Sequence, residues 1–165
     1  MIDALKSLFR GAKGPRTELP LDVCVAALLI EAARADGVYD ADERAAVLRL
    51  LQDMLDLSPA EAAALHDRAD AEQGSAADMV RFTRVIKMAM EEDQRVQVMQ
   101  ALWHVVLVDH DRDPHENALL RHLAPLLGVD DRHSVTARRR AMATLGEPDE
   151  TAPFAHRIGP HFNLV

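Results

Sequence analysis

The sequence predicts an all-α protein, a compact bundle of about seven helices with an internal pseudo-two-fold repeat of helix–acidic turn–helix units. Three observations carry that reading. Alanine and leucine dominate, while aromatic residues make up only 4% of the chain; such a composition packs helices through aliphatic side chains and lacks the residues a sheet draws on. Apolar residues recur at helical spacing between well-marked caps. Finally, a shift of 73 residues lays Asp36, Asp40 and Glu43 on Asp109, Asp113 and Glu116.

The elements follow in order. Ile2, Leu5, Leu8 and Phe9 form a short amphipathic turn, and Gly11–Pro15 is a basic linker, so residues 1–16 precede the domain proper. Such a segment packs on its own domain or rests as a weak peripheral foot on a membrane through residues 1–10, with Lys6, Arg10, Lys13 and Arg16 facing anionic lipid. The helical domain spans 17–146. Its first helix runs from about Pro20 to Asp36, with Gly37 as its left-handed terminator. Asp40 caps the next helix, with Glu43 at capping-box spacing, and Val47, Leu48, Leu50, Leu51, Met54 and Leu55 form its apolar face. Ser58–Pro59–Ala60–Glu61 opens a third helix to about Glu72, and a helix over 75–87 joins the two repeats, 20–72 and 91–145.

The second repeat begins with a helix from about Glu92 to Val108. Asp113–Pro114–His115–Glu116 caps another, which ends at Gly128, and a last helix runs from about Asp130 to Leu145. The tail, 147–165, contains three prolines and no helical period, and is expected to be irregular.

Charge narrows the partners. The net charge is −8, and the span from Thr17 to Glu116, with both acidic turns, carries −12. Nucleic acid is a poor partner for such a surface, since phosphate binding needs a concentrated basic face. Cys24 is the only cysteine and sits among Val23, Val25 and Ala26, as an inert core thiol would. No apolar run reaches the roughly 18 residues of a spanning helix, and the first ten residues lack the core of a signal peptide, so the cytoplasm is the expected setting.

At the acidic turns the residues meet a known pattern. Glu31–Ala–Ala–Arg–Ala–Asp–Gly–Val–Tyr–Asp–Ala–Asp–Glu43 resembles the signature of the tellurite-resistance TerB family. Arg81–Phe–Thr–Arg–Val–Ile–Lys87 and Ala101–Leu–Trp–His–Val–Val–Leu–Val–Asp109 extend the likeness, which covers about Leu21 to Leu145. The resemblance implies an all-α bundle whose acidic turns bind a divalent metal through Asp36, Asp40, Glu43, Asp109, Asp113 and Glu116. It also implies a tellurite- or metal-stress setting, or a chaperone-adaptor one. In the second copy His110 stands where the pattern has Gly, and Asp111 and His115 add further candidate ligands.

Each motif residue also has a plain structural reading. Asp40, Glu43, Asp113 and Glu116 are explained as helix caps, each cap contributing about 1 kcal/mol. Asp36 and Asp109 lie at the end of a helix, where the macrodipole disfavours a carboxylate unless a local Asx bond holds it. A hard cation suits an all-oxygen set, which favours Ca²⁺ or Mg²⁺ over Zn²⁺. The spacing Asp109-x-Asp111-x-Asp113 opens like an EF-hand loop, but Pro114 stands where that loop needs Gly.

Of eight histidines, none forms a His-x-x-x-His or Glu-x-x-His pair, and they read as scattered surface groups. Trp103 and Phe82 are expected core anchors, and Arg138–Arg139–Arg140 solvates the last helix or docks an acidic partner. The sequence therefore supports a non-enzymatic module that binds a divalent cation and engages a protein partner. Two alternatives stand beside it: a purely structural interaction domain, and a metal-assisted hydrolase with Asp36 or Glu116 on the metal and His104 or His110 as base.

Overall fold

The computed structural model describes residues 19–73, 76–108 and 114–146. The described residues form seven α-helices and no strand, as the composition predicts: α1 (Leu21–Ala33), α2 (Ala41–Leu55), α3 (Pro59–Ala71), α4 (Ala76–Ala89), α5 (Glu92–Val108), α6 (Pro114–Leu126) and α7 (Asp131–Leu145). The amphipathic start and linker, residues 74 and 75 ahead of the joining helix, and the proline-bearing tail lie outside the described residues.

Two helices form the centre. In α1 every residue but Asp22 and Glu31 is buried, so it is apolar on all sides and other helices wrap it: α2, α3, α4 and α5 all pack on it. In α5, Val96, Val98, Met99, Leu102, Trp103, Val105 and Val106 are buried, and α7 packs along it more extensively than any other pair of helices meets. Val47, Leu51 and Leu55 of α2 close the core from one side, and Leu120 and Leu123 of α6 contribute from another. Phe82 and Trp103 are buried, as expected of core anchors, and so is Cys24.

The caps explain where the helices begin. Asp40 and Ser58 each complete a capping box, with Glu43 and Glu61 as the reciprocal partners, and Pro59 occupies the first turn of α3. Asp130 caps α7 by accepting from the His133 amide at 2.8 Å, and Gly146 ends that helix with φ +73°. Asp56 ends α2 in the left-handed conformation with φ 57°, which an aspartate tolerates better than a branched residue.

The order of elements repeats: α6 opens 73 residues after α2, and α7 opens 72 after α3. In both halves the first helix packs on the third, α1 on α3 and α5 on α7. The likeness stops at that level, because α2 packs on α3 whereas α6 and α7 have no comparable contact.

Two expectations need correction. The first helix ends at Ala33, not Asp36, because Arg34 to Asp36 tighten into a turn in which the Ala35 amide donates to Ala32 O and the Gly37 amide to Arg34 O. Gly37, at φ +88°, closes that turn instead of the helix itself. Arg138, expected among solvated arginines, lies half-buried with its guanidinium over the Trp103 ring at 5.5 Å. A planar, weakly hydrated cation stacks there at less cost than an ammonium.

Candidate functional site: the first acidic turn

The turn between α1 and α2 carries Asp36, Asp40 and Glu43, and each carboxylate holds a backbone amide. Asp36 Oδ1 accepts from the Val38 amide at 2.8 Å, the local Asx bond that reconciles a carboxylate with the negative end of α1. Asp40 Oδ1 accepts from the amides of Asp42 and Glu43, both at 2.9 Å. Glu43 Oε2 accepts from the Asp40 amide at 2.9 Å, and its side chain is buried beneath the turn. The amides of Asp40, Asp42 and Glu43, at the start of α2, are thereby paired. Asp36 and Asp40 each retain a second oxygen, Oδ2, that takes no hydrogen bond among the described residues.

The turn is fastened to α3 by groups the sequence reading passed over. The Tyr39 hydroxyl lies 2.6 Å from His66 Nε2, with the two rings inclined by only 8°. His66, nearly fully buried, falls on the same stripe of α3 as Ala62 and Ala69. Register therefore placed it inside, and that was the signal available in the sequence. Arg34 stacks its guanidinium over Tyr39 at 4.9 Å, pairs with Asp70 at 2.7 Å and reaches Gln73 Oε1 at 3.3 Å. Gln73 in turn donates from Nε2 to Ala27 O at 2.8 Å, so this group ties the end of α3 back onto α1.

A hydroxyl, an imidazole and a carboxylate stand in sequence here, since His66 Nδ1 faces Asp67 Oδ1 at 3.4 Å. The order is that of a relay, but the environment opposes activation. Burial pushes the Tyr39 hydroxyl up to about 12, against the lowering influence of Arg34 and Arg44. A nucleophile or base needs the opposite shift. Asp67, which would have to orient the imidazole from a sheltered position, is 74% exposed. The trio is a tie between the turn and α3.

Asp109, His110, Asp111 and Asp113 lie outside the described residues, as does the side chain of Glu116 in α6. Within the first turn, Asp36, Asp40 and Glu43 do not gather three ligand atoms within 4.8 Å of one another. Among the described residues, a group that does so is Glu92, Asp130 and His133, all exposed, at the junction of α5 and α7. There His133 Nδ1 lies 3.1 Å from both Glu92 Oε1 and Asp130 Oδ1. The histidine thus bridges two carboxylates by itself, and the cap spacing of Asp130 and His133 was its one visible trace in the sequence. The histidines are accordingly less uniform than expected, with His66 buried and His104 half-buried.

The family profile of the tellurite resistance protein TerB matches residues 22–139, from the start of α1 well into α7. The chain belongs to the TerB family. No curated protein and no solved structure matches it significantly. Both TerB acidic turns and the Arg81–Lys87 stretch fall within the matched span. In that stretch Phe82, Thr83 and Ile86 are buried while Arg81, Arg84 and Lys87 are exposed. Thr83 Oγ1 lies within donating distance of Met79 O (2.9 Å) and Val80 O (3.0 Å). That part of the TerB pattern is therefore a core-facing helical register, whatever its outer arginines contact.

Proposed function

We propose that this chain is a non-enzymatic TerB-family helical module that holds a divalent cation weakly at its acidic turns, through Asp36, Asp40, Glu43, Asp109, Asp113 and Glu116, and engages a protein partner. The proposed setting is a tellurite- or metal-stress response, or a chaperone-adaptor role, in the cytoplasm, and membership of the TerB family supports the first of these. The single observation that carries the cation reading is the uncommitted Oδ2 of both Asp36 and Asp40, on carboxylates already oriented by backbone amides. An all-oxygen donor set of one or two carboxylates completed by water suits Mg²⁺ or Ca²⁺ better than Zn²⁺.

Calorimetric titration with Ca²⁺, Mg²⁺, Mn²⁺ and Zn²⁺, repeated on the Asp36→Asn/Asp109→Asn variant, tests this. The expected result is saturable, weak binding of a hard cation that the double variant loses. No binding at millimolar ion overturns it. Zinc binding abolished by His133→Ala but unaffected by the double variant would move the metal to the Glu92–Asp130–His133 group instead. A second reading, a structural interaction domain without metal, is favoured by the same turn: every one of its three carboxylates already has an amide to accept from.

A further inference from the structure

A second feature lies away from the acidic turn. Helices α2 and α7 both pack on α5 but have little contact with each other. Between them runs a groove enclosing about 470 Å³. That volume falls within the roughly 300–1,000 Å³ of small-molecule sites. Its floor is apolar: Leu50 and Met54 of α2, both only partly buried against the core, and Ala101 of α5.

The rim is charged, and unevenly. Arg49 from α2 and Arg140 from α7 stand on opposite sides, both exposed, and neither has an ion-pair partner among the described residues. Asp53 is the only carboxylate among the lining groups, and Gln97 and Gln100 supply amides. His104 lies on α5 beneath, and burial, with Arg49 adding to it, holds its imidazole below the usual histidine range while Asp53 opposes. In a chain of net charge −8, a groove lined by two guanidiniums that form no ion pair among the described residues, against one carboxylate, is a local inversion of sign.

We infer that the groove between α2 and α7 is a binding site for a soluble anionic amphiphile, a carboxylate carrying an unbranched apolar chain. The chain lies on Leu50, Met54 and Ala101, and the carboxylate meets Arg49 and Arg140 across the mouth. Guanidiniums suit that role because their planar forks match a carboxylate.

The test uses the full chain with decanoate as probe, below its micelle concentration, followed by the Met54 methyl and His104 ring signals in NMR spectra. Decanoate is expected to saturate and to shift both signals. Decyltrimethylammonium, with the same tail and the opposite charge, is expected to bind about tenfold more weakly or not at all. The Arg49→Gln/Arg140→Gln variant changes only exposed side chains, and is expected to lose about tenfold in decanoate affinity, about 1.4 kcal/mol, while keeping its thermal midpoint. A bound carboxylate is also expected to raise the titration midpoint of His104. Equal affinity for the two amphiphiles overturns the inference, as does the absence of saturation. Contacts from the Met54 methyl to Phe154 or Phe162 in the ligand-free chain would assign the groove to the chain's own residues, and overturn it equally.

Discussion

The Tyr39 hydroxyl sits 2.6 Å from His66 Nε2, joining an exposed acidic turn to a helix through a histidine that is almost wholly buried. That bond fastens the turn to α3 at Tyr39, which stands between Asp36 and Asp40 in the sequence. Removing the hydroxyl leaves an imidazole nitrogen buried without its partner. Tyr39→Phe is therefore expected to cost about 1–3 kcal/mol in urea unfolding, with the helical content of the native state unchanged. A double-mutant cycle with His66→Leu isolates the coupling between the two groups.

Tyr39 is the only tyrosine in the chain, so tyrosinate absorbance reads it directly. Its midpoint is expected near 12 instead of 10, because burial disfavours the phenolate. A pKa raised on folding contributes stability that is complete below pH 10 and is lost as pH rises through 12. Wild type is thus expected to lose stability over that alkaline window, and Tyr39→Phe to lack this loss. A midpoint at 10 in the native state would refute the half-buried placement of the ring.

The capping boxes make a separate claim. Asp40 Oδ1 serves two amides at once, so Asp40→Ala is expected to destabilise by about 1 kcal/mol, within the range of about 0.5–2 found for caps. Asp40→Ser is expected to recover most of that loss, because a hydroxyl still accepts from the start of α2. Chemical denaturation of the three proteins decides it.

Acid is expected to loosen two other caps. Glu61 and Asp130 are held below the usual carboxylate range chiefly by the backbone amides of Ser58 and His133. A depressed pKa gives stability that is present above the unfolded value and lost as pH falls through the folded one. The starts of α3 and α7 are therefore expected to fray below about pH 4, and exchange of the Ser58 and His133 amides, which donate to these two carboxylates, to accelerate there before the core opens.

Gly128 supplies a prediction about packing. Its φ is +66°, and a Cβ there would meet Arg95 Nη1 at 2.5 Å and Lys87 Cε at 3.1 Å. Arg95 cannot yield freely, since Nη1 donates to Leu127 O at 3.1 Å. Gly128→Ala is expected to cost more than the roughly 1 kcal/mol of left-handed strain alone, read as a lower thermal midpoint. Adding Arg95→Ala, which clears the space, is expected to make the glycine substitution less damaging.

What the sequence made legible was mostly one-dimensional. Ser58, Asp40, Asp130 and Gly146 mark helix ends by chemistry confined to four or five neighbouring residues, and each was placed correctly. The site was legible only in its carboxylates. Tyr39, Arg34 and Gln73 were missed because their meaning depends on partners 27 to 46 residues away. Glu92 and His133 likewise meet only because α7 folds back along α5. His66 was the exception, since its register beside Ala62 and Ala69 already pointed inward. The early end of α1 was invisible for another reason: Ala35 is as good a helix former as any, and the hydrogen bonds of a tight turn overrode it.

A helix with no outer face cannot be recognised by anything in solution, and α1 has almost none. Its amides should be the last in the domain to exchange with deuterated water, opening only when the whole molecule does. The first acidic turn is where that hidden rod surfaces. A cation or partner that grips the turn grips one end of the slowest-opening part of the chain, and its effect should appear less as a change of shape than as a longer lifetime of the folded state.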